Sequence, residues 1–144
     1  MRPCMFALAV LTVLTACLTL AQNSTTPSRT AAHEYFFSVP ASQIWFDTNI
    51  DLHPGDRVHI IGGVIDCAGP TSSEKLDVPA PSAPVGALLA KLHAEAEPVL
   101  ATPDADLPVI DLSHLYLGVN GWRCPGKIPA KVTVERRAAE DQRH

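Results

Sequence analysis

The sequence lacks the short motifs that mark the common enzyme classes. It contains no Gly-x-Ser-x-Gly nucleophile turn, no His-Glu-x-x-His zinc motif and no glycine-rich phosphate loop. Its 6 histidines are scattered without the spacing of metal ligands, and the sequence assigns no pair of carboxylates to one cleft. We therefore predict that the protein is not an enzyme and has no metal or other cofactor.

Clustered positive charge is also missing. The chain has 11 Lys and Arg against 15 Asp and Glu, which gives a net charge of -4. Proteins that bind nucleic acid through its phosphates usually carry a basic patch, so nucleic acid is not an expected partner. No pattern in the sequence specifies an oligomeric state.

The longest apolar run stands at the N-terminus. Residues 1–21 contain one arginine, an apolar stretch and a final small residue, which predicts a secretory signal peptide too short to remain as a membrane span. Cleavage after Ala21 is one possibility. The other is a bacterial lipobox that removes residues 1–16 and leaves Cys17 lipidated. Both predict an exported protein, either periplasmic, secreted or lipid-anchored in the outer membrane, with membrane contact only through that lipid.

The remainder of the chain reads as one domain between two polar segments. Residues 22–32 are rich in Ser, Thr and Pro and predict a flexible tether. Residues 137–144 are charged and predict a disordered tail. Residues 33–136 are then long enough for a single hydrophobic core.

Cysteine is scarce in that predicted domain. Only Cys67 and Cys124 belong to it, and in an oxidising compartment they most simply form one disulfide. Closure of so long a loop predicts a stabilisation of about 4 kcal/mol. The alternatives are a metal pair, which no Cys-x-x-Cys or His-x-His spacing supports, and two inert buried thiols.

Several stretches predict β-strands. Residues 33–39 are aromatic and end at Pro40, and residues 43–66 read as two strands joined by a turn at 53–56. Val58 and Ile60 alternate with polar neighbours, so His59 is expected on the surface. The alternation of residues 44–46 predicts that Trp45 belongs to the core. Short strands separated by Pro, Gly and Asp turns indicate an all-β sandwich, closed by a strand with Val132 and Val134.

One segment is ambiguous. Residues 85–97, "VGALLAKLHAEAE", are rich in Ala, Leu, Glu and Lys, and helix propensity alone favours a helix there. Pro84 and Pro98, which flank the segment, fit a helix as well.

The order of several short motifs resembles a known family. "TNIDLHPGDRVHIIGGVIDCAG", "VGALLAKL" and "LYLGVNG" are similar in order and spacing to the LecA type of bacterial galactophilic, calcium-dependent lectins. The anchors are Thr48, residues 54–56, Gly69, residues 86–88, Lys91 and Asn120. The resemblance implies a single jelly-roll-like antiparallel β-sandwich of the galactose-binding-domain type, with residues 86–92 as a strand.

The residues that bind calcium and sugar in that family are mostly absent. The family's calcium-binding Tyr falls on Ala68, its Asp falls on Gly121, and its asparagine-rich loop is replaced by residues 122–125. Calcium requires six to eight oxygen ligands, so we expect no calcium. The loop at 72–84 has no counterpart of the family's His-Pro and Gln sugar contacts.

The resemblance also implies that the two cysteines lie in neighbouring loops. Cys67 precedes the former calcium Tyr position and Cys124 lies in the former calcium loop, so a disulfide would join the two loops that calcium joins in the lectins. Four further residues near these loops are candidate ligand contacts: Asn120, Trp122, Arg123 and Asp66. Trp122 would serve as a platform for a sugar ring, with Arg123, Asn120 and Asp66 orienting hydroxyls.

Two functions follow from these residues. The first is an exported lectin-like module that binds a glycan or other polar ligand without calcium. The second is an envelope structural or protein-interaction domain without sugar binding, in which Trp122 packs over the disulfide and Arg123 pairs with a surface carboxylate.

Overall fold

The computed structural model describes residues 31–67, 78–121 and 124–137. These residues form strands, turns and loops, with no helix among them, so the described part of the chain has no helix that could cross a membrane. The strands are β1 (Ala31–Pro40), β2 (Phe46–Leu52), β3 (Arg57–Gly62), β4 (Leu88–Lys91), β5 (Val99–Leu100), β6 (Asp104–Pro108), β7 (Ser113–Val119) and β8 (Lys127–Arg136). The all-β prediction is confirmed.

The strands form two antiparallel sheets. One, the β1 sheet, has the order β1-β8-β3-β6, and the other, the β2 sheet, has the order β2-β7-β4-β5. Consecutive strands alternate between the sheets except that β4 and β5 are both in the β2 sheet. Because the chain returns repeatedly to the opposite sheet, the inner faces of both sheets enclose one core and form a β-sandwich.

The core is built from the apolar residues that alternate with polar residues along the strands. Val58 and Ile60 of β3 are buried, whereas His59 between them is half-exposed and contacts Asp106 at 2.9 Å. The predicted surface position of His59 agrees with this arrangement. Large side chains from both sheets complete the core: Leu52, Leu88, Leu115, Leu117, Ile128, Val132 and Val134. Burying each such side chain contributes about 1.5–3 kcal/mol relative to exposing it.

Residues 85–97 contain a strand instead of the helix that propensity favours. Leu88–Lys91 is β4, and its backbone pairs with β7 on one side and β5 on the other. Leu88 and Ala90 point into the core. The hydrogen bonds to two neighbouring strands and the burial of these side chains outweigh local preference, as tertiary context often does.

The structure moves the predicted start of the first strand and confirms the predicted turn between the next two strands. The first strand begins at Ala31 rather than at residue 33, because β8 extends to Arg136 and Ala31 pairs with it. The predicted turn at 53–56 is present, with Gly55 at φ 92° and the Asp56 N–H donating to the His53 carbonyl at 3.0 Å. The predicted signal peptide, most of the tether and residues 138–144 lie outside the described residues.

Candidate ligand-binding face

The two cysteines of the domain form a disulfide, as the sequence predicts. Cys67 follows β3 and Cys124 follows β7, and their Cα atoms are 4.8 Å apart. Gly121 packs directly on the sulfurs: a Cβ there would be 2.6 Å from the Cys124 Sγ. The loops after β3 and β7 are therefore neighbours at one end of the sandwich.

Asn120 lies at this end but is turned into the protein. Its side chain is 0% exposed. Nδ2 donates to the carbonyls of Ala80, Ala83 and Pro84 at 2.9–3.1 Å, and Oδ1 accepts from the Ala80 N–H at 3.0 Å. Asn120 thus anchors the segment before β4, and its predicted contact with a ligand has no support from this geometry.

Of the other predicted ligand residues, the structure describes only Asp66. Asp66 is exposed beside Cys67 and lines neither of the two pockets described below. Trp122 and Arg123 lie outside the described residues, as does the predicted lipidation site Cys17. The choice between a sugar platform and a packing role for Trp122 therefore stays a prediction.

Two positions that correspond to the lectin calcium site, Asn120 and Gly121, lie in the described part of the chain. Gly121 has no side-chain oxygen, and the Oδ1 of Asn120 already accepts a hydrogen bond from the Ala80 N–H. Ala68 falls outside the described residues. Across 31–67, 78–121 and 124–137, no three His, Cys, Asp or Glu side chains are grouped so that they could hold a metal ion.

A pocket that sequence reasoning missed lies on the outer face of the β2 sheet. We call it the Trp45 pocket; it has a volume of about 400 Å³ and is lined by Trp45, Lys91, Glu97, Pro98, Pro79 and Gly121, among others. Two of its walls come from strand β4 and the residue before β2. The rest of the lining comes from the turn that links β4 to β5, from residues 78–79 before β4 and from Gly121 after β7.

Trp45 is at this pocket because of its position relative to β2. Phe46 packs against the core, so Trp45 takes the opposite side of the sheet, where it is only half-buried. Gly118 of β7 makes room for it, since a Cβ at Gly118 would be 2.8 Å from the Trp45 Cε3. The prediction that Trp45 belongs to the core is therefore wrong, and the alternation that suggested it in fact places Phe46 inside.

Lys91 is a buried charged group in the lining of the Trp45 pocket. Its residue exposure is 9%, and its Nζ lies 4.2 Å from the Trp45 ring centroid and 5.6 Å from that of Tyr116. The ammonium donates to the Ala94 carbonyl at 2.5 Å. None of the ion pairs among the described residues includes Lys91, so no carboxylate oxygen of those residues lies within 4 Å of its ammonium, which is unusual for a buried charge. A lysine inside the apolar run "GALLAKL" was the sequence signal for this site.

A second pocket of about 470 Å³, the histidine pocket, lies beyond Tyr116 and includes His53, His93, Ser113 and His114 in its lining. His114 is bridged by two carboxylates: Nε2 contacts Asp47 at 2.5 Å and Nδ1 contacts Asp51 at 2.6 Å. Ionised carboxylates only accept hydrogen bonds, so this arrangement favours a His114 ring that is protonated on both nitrogens.

The two carboxylates also affect titration at this site. The hydrogen bonds that His114 donates, first to Asp47 and then to Asp51, raise the pKa of His114 above its ordinary value of 6.5. The same contact with His114, followed by the backbone N–H of Asn49, lowers the pKa of Asp47 below 3.8. The ion pair of protonated His114 with ionised Asp47 is therefore favoured over a wide pH range.

A serine, a histidine and an aspartate also meet in the histidine pocket, but not as a catalytic triad. The Ser113 Oγ lies 3.4 Å from the His93 Nε2, and the Asp111 Oδ1 lies 3.1 Å from the same Nε2. A triad needs serine and aspartate on different ring nitrogens so that one orients the ring while the other loses its proton. This cluster does not supply a nucleophile, and the prediction that the protein is not an enzyme rests on its sequence.

No protein-family model matches the chain, and no curated protein matches it either.

Proposed function

We propose that the protein is an exported, calcium-independent binding module whose ligand is a carbohydrate or a molecule of similar polarity. The proposed site is the Trp45 pocket on the outer face of the β2 sheet. The observation that carries the proposal is the Lys91 ammonium held 4.2 Å from the Trp45 ring centroid in the wall of that pocket.

This combination suits the chemistry of a sugar. A pyranose ring has apolar C–H faces and a rim of hydroxyls, so it is recognised by an aromatic surface together with a few fixed polar groups. Lys91 has three N–H donors, and among the described residues one of them is taken, by the Ala94 carbonyl. Glu97 supplies an acceptor at the same pocket.

Independence from calcium is supported by the loops at the disulfide end. The Cys67–Cys124 bond joins the two loops that calcium joins in the lectins that this sequence resembles. Gly121 contributes no oxygen ligand there, and the Asn120 amide is engaged with residues 80–84. We therefore propose that a covalent link replaces the metal in fixing these loops.

The sandwich is further proposed to be a jelly roll. The eight strands of the described residues form two four-stranded sheets, and the sheet orders β1-β8-β3-β6 and β2-β7-β4-β5 interleave early and late strands. Such interleaving is what two Greek keys folded over each other require.

The test is a glycan-array screen of the purified protein in two buffers, one with calcium and one with EDTA. We expect the same glycans to be retained in both buffers, and we expect Trp45→Ala to reduce their retention at least about tenfold. Phe36→Ala is the matched control, because Phe36 is an aromatic side chain, 73% exposed, on the outer face of the other sheet.

Retention of no glycan in either buffer would refute carbohydrate binding. Retention only with calcium would instead refute independence from the metal and favour a site of the lectin type. Thermal melts of both variants establish that loss of binding does not reflect unfolding.

The alternative, a protein-interaction domain, is favoured by a different observation. Ile110 and Leu112, in the loop before β7, are 84% and 71% exposed. Neighbouring exposed apolar side chains often mark contact surfaces. If this function is correct, Ile110→Ser/Leu112→Ser should abolish self-association or capture of an envelope partner in cross-linking experiments, whereas Trp45→Ala should not.

A further inference from the structure

We infer that the ligand of the Trp45 pocket carries an anionic group, a carboxylate or a sulfate on a sugar ring, and that Lys91 binds that group. This inference rests on the proposed function and adds the chemical class of the ligand.

The first argument is the cost of burying the Lys91 ammonium. A charge removed from water is destabilising unless it is paired and hydrogen-bonded. Among the described residues, Lys91 has one carbonyl acceptor, Ala94 O, and the faces of Trp45 and Tyr116. These partners are neutral, so they orient the ammonium, and residues 31–67, 78–121 and 124–137 supply no counter-charge to it.

The second argument is a comparison within the same fold. Asp56 is also buried, at 3% exposure, and it is fully paired: its Oδ2 accepts from Arg136 Nη1 at 2.7 Å and from the His53 N–H at 2.9 Å. Within the described part of the chain, one buried charge therefore has an ionic partner and the other lines a pocket. An anion in that pocket would give Lys91 the counter-charge that Asp56 already has.

The third argument concerns the geometry of recognition. Both side chains line the pocket and the ammonium lies 4.2 Å from the indole centroid, so a sugar that contacts Trp45 would bring a ring substituent within reach of Lys91. A charge-assisted hydrogen bond from an ammonium to an oxyanion is about twice as strong as a neutral one. Lys91 would therefore favour an acidic sugar over its neutral counterpart.

Glu97 provides an internal check on the sign of the charge. It is exposed at the rim of the same pocket and does not pair with Lys91 within 4 Å. A carboxylate at the rim repels an anionic ligand but accepts hydrogen bonds from a neutral polyol. Removing the charge of Glu97 should therefore strengthen the binding of an anionic ligand. It should leave unchanged or weaken the binding of a neutral polyol.

The experiment is isothermal titration calorimetry of the full protein with matched oligosaccharide probes. Oligogalacturonate carries carboxylates, heparin-derived oligosaccharides carry sulfates as well, and carboxyl-reduced oligogalacturonate is neutral. The first two probes separate the two sources of negative charge, and the third tests whether charge is needed. Titrations at low and high salt report the electrostatic part of the affinity.

The variants separate charge from packing. Lys91→Met keeps the aliphatic stem and removes the ammonium, and it should weaken binding of the acidic probe about tenfold or more. Lys91→Arg should retain binding, and Glu97→Gln should strengthen it about two- to fivefold. Lys131→Met is the matched control: it removes one lysine charge from the β1 sheet, where Lys131 pairs with Glu34, and should change nothing.

The outcomes distinguish the two proposals. Preference for an acidic probe, lost in Lys91→Met and enhanced in Glu97→Gln, supports the inference. Equal binding of acidic and neutral probes leaves the proposed function standing but overturns the anionic ligand, as does unchanged acidic binding in Lys91→Met. Binding of no probe here and of no glycan on the array overturns both.

Discussion

Removal of the Cys67–Cys124 bond is the strongest test of how this domain is stabilised. The bond closes a loop of 57 residues that contains strands β4 to β7. Loop-closure entropy for that length predicts that the free energy of unfolding falls by about 4 kcal/mol when the bond is absent. For a domain of this size each kcal/mol changes the melting temperature by about 4–8 °C, so a decrease of about 15–30 °C is expected.

The assay is thermal and urea denaturation of the oxidised protein, the reduced protein and Cys67→Ala/Cys124→Ala. Reduction should lower the midpoint of the native protein and leave the double variant unchanged, which separates this bond from Cys4 and Cys17. Calcium should not restore either midpoint. A midpoint that moves by less than about 2 °C on reduction, well below the loop-entropy expectation, would refute the stabilising role. Recovery by calcium would refute the proposal that the disulfide replaces a metal.

Two further predictions concern the outer face of the β2 sheet. Gly118→Ala should lower the free energy of unfolding by about 1–3 kcal/mol and change the near-ultraviolet circular dichroism of Trp45, because the new methyl would lie 2.8 Å from the indole. Gly63→Ala is the control: its methyl would meet no atom within 4 Å, so the spectrum should not change. His114→Gln should destabilise the protein most between pH 3.8 and 6.5. The raised pKa of His114 contributes stability that is lost as the pH rises through that pKa, and the lowered pKa of Asp47 contributes stability that is lost as the pH falls through that one. Urea titrations at about pH 5 and about pH 9 measure the difference, and an equal destabilisation at both values would contradict the ionic bridge.

The candidate site was harder to predict than the fold. The sequence directed attention to Asn120, Asp66, Trp122 and Arg123 at the disulfide end. In the described part of that end, Asn120 is turned inward onto the segment at 80–84 and Asp66 stands alone on the surface. Local patterns indicate which residues are polar, but they do not indicate which backbone groups those side chains will satisfy.

The Trp45 pocket depends on contacts between residues distant in sequence. Trp45 precedes β2, Gly118 belongs to β7 and Lys91 ends β4, and they meet because the order β2-β7-β4 places these strands side by side. A tryptophan beside two apolar residues resembles a core residue in sequence. Only the register of the sheet shows that its neighbour Phe46 takes the inward position.

The sequence by itself determined the class of structure, the turn at 53–56, the buried face of β3 and the pairing of Cys67 with Cys124. Period-two patterns and turn chemistry act locally, and the scarcity of cysteine leaves few alternative pairings. The tertiary structure decided that residues 88–91 are a strand, that Asn120 is a structural anchor and that Trp45 and Lys91 share a pocket. Those outcomes depend on hydrogen bonds and packing between strands that lie far apart in the chain, where the energy of the assembled sheets outweighs local preference.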